Sequence, residues 1–230
     1  MLAAIAVTLI AVVGGLAWQS GRTPVVAAEE TVQRPSSFAP ARTMPVVSVI
    51  GDSISSGTQK NTVKWPELVG RARGWHMNSV ASGGAGYVNG ADKQRDFAAE
   101  VAAAVGARPD MIVVAGGRND RNADPAAAGA AATNLYTALR QQASGAQIVV
   151  VGPIWSAATA PASMYAVNDA IRAAASAAGI QFIDALNENW LGNPRLIQED
   201  NTHPTDEGQQ LLADRIGAAL PELKSVTPDA

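Results

Sequence analysis

The sequence predicts an α/β domain of three layers, with a parallel sheet of about five strands between two layers of helices. From Pro45 onward, short β-branched runs alternate with Ala-rich helical stretches. The runs Met111-Ile112-Val113-Val114-Ala115 and Ile148-Val149-Val150-Val151 are apolar throughout, as strands covered on both faces are. Regular alternation of strand and helix then implies parallel pairing, because each crossover lays a helix on the sheet.

In order, the pattern reads strand 46–50, helix 65–73, strand 76–80, helix 92–105, strand 111–115, helix 125–142, strand 148–151, helix 162–178, strand 182–183 and helix 205–220. Val and Ile carry the strands and Ala carries the helices. The Ala-rich stretches 126–132 and 173–178 look low in complexity. Ala has the best helix propensity, though, and its small side chain lets a helix lie close to a sheet. No repeat architecture is present.

The chain has 230 residues, of which 47% are hydrophobic, so one sizeable core can be buried and a single folded domain is expected over 45–222. A net charge of −3 gives no basic field, and no Lys/Arg run interleaves with aromatics, so nucleic acid is not an expected partner. Zero Cys excludes a thiol nucleophile, disulfides and Cys-ligated zinc. With His76 and His203 as the two histidines, a three-histidine metal site is impossible. No metal or cofactor is called for, and the chemistry must rest on oxygen nucleophiles.

The first 18 residues carry no charged side chain, so segment 1–28 reads as a signal peptide or an N-terminal membrane anchor. Small residues at Val26-Ala27-Ala28 suit cleavage, while the lack of Lys or Arg ahead of the apolar run departs from a standard signal. A buried core helix is the alternative, but Gly14-Gly15 and the polar stretch that follows mark a boundary. The expected location is secreted or cell-envelope, with membrane contact only through this segment if it is uncleaved. Residues 29–44, with Pro35 and Pro40 and few large apolar groups, read as a linker, and 223–230 as a tail.

In an open parallel sheet the loops leaving the carboxyl ends of the strands converge on one edge. Asp52-Ser53 follows the first strand, Ser82-Gly83-Gly84-Ala85-Gly86 the second, Gly117-Arg118-Asn119-Asp120 the third, and the Asp200/His203 pair lies beyond the fifth. Ser53 sits where a strand turns towards a helix, so its hydroxyl and its backbone N–H can address one substrate oxygen. It could equally be an ordinary turn or capping serine. The three-residue spacing of Asp200 and His203 puts the side chains on one side of a helical turn, as a base and its orienting carboxylate require. Pro204 suits the first position of the following helix and holds His203 at a loop-helix junction. A solvated Asp and a capping His are the plain alternative.

Taken in the same order, Gly51-Asp52-Ser53, the glycine cluster, Gly117-x-Asn119-Asp120 and Asp200-x-x-His203 resemble the four blocks of the SGNH or GDSL hydrolases. The resemblance spans residues 45 to about 220. It implies a flavodoxin-like three-layer fold and metal-free hydrolysis of esters of lipids, polysaccharides or small acyl compounds. It further implies Ser53 as nucleophile, His203 as general base and Asp200 as its partner. The Ser53 N–H, Asn119 and a glycine of the second block become the oxyanion hole; Gly84 is chosen here, with Gly83 as the alternative. The expected substrate is an acyl ester, whether a small ester, an acylated glycan or a lipid. With no evident lid insertion, small acyl groups are favoured.

Other residues have two readings each. Arg118 is either a cation for an acidic substrate group or an exposed arginine paired with Asp120 or Asp124. Trp155 and Trp190 either wall the cleft or pack inside, and Trp155 is taken as substrate-binding. His76 reads as a packed or edge histidine. Asp52 and Asp120 read as braces for their loops. An acyltransferase using a sugar hydroxyl in place of water, or a non-catalytic binding module on the same scaffold, are the competing functions.

Overall fold

The computed structural model describes residues 44–90, 93–156 and 159–223. The expected leader 1–28, linker residues 29–43 and tail residues 224–230 lie outside the described residues. Among the described residues, no helix is long and apolar enough to cross a membrane.

Five parallel strands, β1 (Val46–Gly51), β2 (His76–Ser79), β3 (Met111–Ala115), β4 (Gln147–Val151) and β5 (Gln181–Ile183), lie in the order β2-β1-β3-β4-β5. Alternate residues of the runs face opposite helix layers. Ile50, Ile112, Val114 and Val150 point to one core, with α3 (Phe97–Gly106), α4 (Pro125–Gln142) and α5 (Ala162–Ala177). Val47, Val49, Val113 and Val149 point to the other, with α2 (Trp65–Arg73) and α6 (Asp206–Ala219). The fold is therefore the three-layer α/β arrangement, and β1 and β3 are buried along their whole length because both faces are covered. Such strands cannot alternate polar and apolar residues, and one polar exception, Ser48, is satisfied by donating to Ala104 O at 2.7 Å.

The strand order fixes where a ligand can bind. After β1 the chain steps to β2 on one side and then crosses back to β3 on the other, which opens a crevice at the carboxyl ends of β1 and β3. The turns that follow those two strands carry Ser53 and Asn119.

Some local details differ from the expected pattern. A short helix, α1 (Ser53–Ser56), follows β1 directly. Helix α3 begins at Phe97 and not at 92, because the Asp96 carboxylate caps it by accepting the Ala99 N–H, and Gly90 O takes the N–H groups of Lys93 and Arg95 in a preceding turn. Helix α6 begins at Asp206, so Pro204 is not its first residue. Thr205 is the cap, accepting the Gly208 N–H, while Pro204 is drawn into an antiparallel bridge with Ile197.

Candidate active site

Asp52 follows β1 directly and caps α1, its Oδ1 accepting the Ile54 N–H at 2.9 Å. That cap turns the chain sharply, so Ser53 is presented at the first helical position above the sheet edge. Among the described residues the Ser53 N–H has no acceptor, which leaves it free for a ligand.

The histidine comes from the other end of the chain. The segment from Gln198 to His203 is a tight turn and not a helical one: Gln198 N–H donates to His203 O at 2.8 Å, Thr205 N–H donates to Leu196 O, and Asn201 takes φ +55° at the tip. Gln198 also donates from its side-chain amide to Pro204 O at 2.7 Å, and Ser156 Oγ donates to Asn201 O at 3.0 Å. Within this turn Asp200 Oδ1 accepts the N–H groups of Thr202 and His203, both at 2.9 Å, and Oδ2 lies 2.7 Å from His203 Nδ1. A carboxylate at Nδ1 selects the tautomer protonated there, so Nε2 is the acceptor. It faces Ser53 Oγ at 2.9 Å. Partial burial resists ionisation of Asp200, but the hydrogen bonds from His203 and Thr202 outweigh it and hold the carboxyl down at about 2.

Two further turns face the same crevice. Ala85 N–H closes a turn onto Ser82 O, with Gly83 and Gly84 at its centre and Gly84 at φ +81°, a conformation L side chains rarely adopt. Neither central N–H donates within the described residues, and a Cβ at either glycine would meet no atom within 4 Å. Both therefore border open space. Asn119 lies in a 3₁₀ turn, Arg118–Asp120, after β3, and its amide gives one hydrogen to Ala85 O at 2.8 Å, leaving the other available.

Residues 49–211 match the GDSL-like Lipase/Acylhydrolase family. The chain belongs to that family. It is 32% identical over 186 residues to a GDSL lipase of Mycobacterium tuberculosis, an alignment covering 76% of this chain and 80% of the relative. The crystal structure of TesA matches with a TM-score of 0.64 at 20% identity, covering 74% of this chain and 95% of that one. A family two carbohydrate esterase from Cellvibrio japonicus matches with a TM-score of 0.60 at 16% identity, covering 78% of this chain and 61% of that one. Membership makes this chain a serine ester hydrolase whose substrate is an acyl ester.

Beneath the crevice, among the described residues, the GDSL hydrolase buries three carboxyl groups: Asp52, Glu100 and Asp120. Asp120 does what a loop brace must, and more tightly than a turn requires. Its oxygens accept the N–H groups of Tyr87, Val88 and Asn89 at 2.8 to 3.0 Å, so the turn after β2 is tied to the turn after β3. Gly86 is needed there because a Cβ would lie 2.6 Å from the Asp120 carboxylate. Burial raises the carboxyl above its ordinary value although three N–H groups oppose the shift. Burial likewise pushes Asp52 up to about 6, against the Ile54 N–H and the charge of Arg118.

Glu100, on α3, escaped the sequence reading. Its Oε2 accepts the Gly51 N–H at 2.9 Å, directly before the Asp52-Ser53 turn, and Ser82, directly before Gly83, favours the ionised form of the same carboxyl. A signal existed: Phe97, Val101 and Ala104 form a helical apolar stripe, and Glu100 falls on that stripe.

Arg118 and Trp155 pack on each other in the GDSL hydrolase, with the guanidinium carbon 4.3 Å from the ring centroid. Asp120 and Asp124 are both occupied elsewhere, Asp124 by capping α4, so neither pairs with Arg118. Trp190 is core, 6% exposed, with its Nε1–H donating to Glu188. His76 lies exposed on the edge strand β2, away from the carboxyl ends.

Proposed function

We propose that this GDSL hydrolase is an exported esterase that acts on short-chain or carbohydrate-linked acyl groups, using Ser53, His203 and Asp200. The observation that carries the reading is the hydrogen-bonded line from the Ser53 hydroxyl through both ring nitrogens of His203 to the Asp200 carboxylate, at 2.9 and 2.7 Å. In the first half-reaction His203 Nε2 accepts the Ser53 proton as Oγ bonds to the ester carbonyl carbon. The resulting oxyanion takes hydrogen bonds from the Ser53 N–H, the Asn119 amide and the N–H of Gly84 or Gly83. Collapse breaks the ester C–O bond, and His203 returns the proton to the leaving alcohol. Water then gives a proton to His203 and attacks the acyl carbon; collapse releases the acid and restores the Ser53 hydroxyl.

Small acyl groups are supported by the braced turns at the carboxyl edge, none of which among the described residues is an inserted lid. The fold shared with a carbohydrate esterase supports a sugar as the alcohol part. Export is supported by the uncharged stretch 1–18 and the small residues at Val26-Ala27-Ala28. Ser53→Ala should abolish hydrolysis of p-nitrophenyl acetate with an unchanged melting curve, and a fluorophosphonate should label Ser53 in the unaltered chain. Full turnover by Ser53→Ala would remove the assignment.

A further inference from the structure

The guanidinium of Arg118 is half buried and makes no direct ion pair among the described residues. One face lies on Trp155 at 4.3 Å, and Nη2 reaches Thr202 Oγ1, on the histidine turn, at 3.4 Å. Nη1 is sealed from solvent with no hydrogen-bond partner, and the same is true of Asp52 Oδ2 beneath the Ser53 turn. The two groups nevertheless act on each other, since Arg118 favours the ionised form of Asp52 and Asp52 favours the charged form of Arg118. Such a charge is poorly placed to meet a substrate: Nη1 is sealed from solvent, and one face lies on an indole.

We propose that Arg118 is a positioning residue that locks the His203 turn against the Asn119 turn, through its contacts with Trp155 and Thr202. The inference rests on Ser53 and His203 being the reacting pair. The histidine turn is an excursion with a positive φ at Asn201 and with Asp200 on its outer side, and the side chains of Gln198, Ser156 and Arg118 add to the backbone hydrogen bonds that hold it. Arg118 is the chain neighbour of Asn119, so one rigid 3₁₀ turn then sets both the oxyanion donor and the base relative to the nucleophile. The remaining charges around this lock are Arg121 and Asp200 beside Arg118, and Asp120, His203 and Glu100 beside Asp52.

The test is kcat and KM for p-nitrophenyl acetate from pH 5 to 9, on the full chain carrying Arg118→Gln or Arg118→Lys. Arg118→Gln should lower kcat roughly 10- to 100-fold through misplacement of the base, with KM within about twofold of the wild type. Loss of the cation favours the protonated form of every acid and base around it, so the acid limb should move up by roughly 0.5–1 pH unit. Arg118→Lys should leave the limb in place and recover only part of kcat, because an ammonium lacks the planar face and fork. Thr202→Val should lower kcat less, and should add little in the Arg118→Gln background because it removes one end of the same contact.

A loss confined to KM would make Arg118 a substrate binder and overturn the inference. So would a kcat loss equal at every pH with Lys no better than Gln, which marks packing alone. Should Arg118→Gln not fold, unchanged kcat in both Arg118→Lys and Thr202→Val would overturn it equally. Fluorophosphonate labelling of the same samples separates the two levels. An unlabelled wild-type Ser53 sinks the triad, whereas a labelled wild type beside a fully active Arg118→Gln sinks only the role of Arg118.

Discussion

Replacing Glu100 with Gln should stabilise the protein progressively as the pH is raised. Glu100 is 6% exposed, and burial pushes its carboxyl from the ordinary 4.5 to about 8, although hydrogen bonds from Gly51 and Ser82 favour the ionised form; the neighbouring Asp52 adds repulsion. The folded pKa is thus above the unfolded one. Between those values the folded protein holds a proton that the unfolded chain has released, so the contribution to stability is intact below pH 4.5 and is lost as the pH climbs through 8. At about 1.4 kcal/mol per pH unit, the complete loss is on the order of 5 kcal/mol by pH 9. Gln has no proton to release, yet keeps a carbonyl for the Gly51 N–H. Urea unfolding of both proteins at intervals from pH 5 to 9 should therefore show a stability difference that moves in favour of the variant by several kcal/mol. Asp52 titrates in both proteins and largely cancels. A difference that stayed constant to within about 0.5 kcal/mol would mean that Glu100 ionises as freely inside the fold as outside it, and the burial argument would be wrong.

Three further outcomes are expected. Asp120→Ala strands the buried Tyr87 N–H and the part-buried N–H groups of Val88 and Asn89 and should cost roughly 2–4 kcal/mol in urea unfolding, a loss under about 1 kcal/mol being incompatible with the brace. Asn119→Ala should lower kcat roughly 10²–10³-fold, and a change in KM alone would make its amide a ground-state binder. Asp200→Asn should lower kcat on the order of 10³-fold by releasing the His203 tautomer. Because the Asp200 carboxyl is held at about 2, its support is in force above its ordinary value of 3.8 and fades only as the pH falls through 2.

The layers, the strand count and the convergence of four polar loops were legible because β1, β3 and β4 are largely apolar runs and α3, α4 and α5 are Ala-rich. Helices α2 and α4 begin and end where the pattern places them. Boundaries failed where side-chain chemistry overrode periodicity: Asp96 starts α3 late by capping it, and Pro204 is diverted from α6 into a bridge with Ile197. The spacing of Asp200 and His203 suggested a helical turn, and the contact between them forms instead across a tight turn with Asn201 at positive φ. Spacing was a sound guide to proximity but not to backbone shape. Glu100 stayed unread because its importance lies in what it meets, Gly51 and Ser82, some 49 and 18 positions away, and no local pattern reports such a meeting.

The 150-position gap between Ser53 and His203 has a bearing on when this chain can first do harm or good. A nascent polypeptide leaving the ribosome acquires the Ser53 hydroxyl 150 residues before the His203 imidazole. Until the turn that carries His203 has emerged and docked, the Ser53 hydroxyl lacks the hydrogen-bond partner that it meets in the folded chain, so the contact cannot form until 150 further residues have been made.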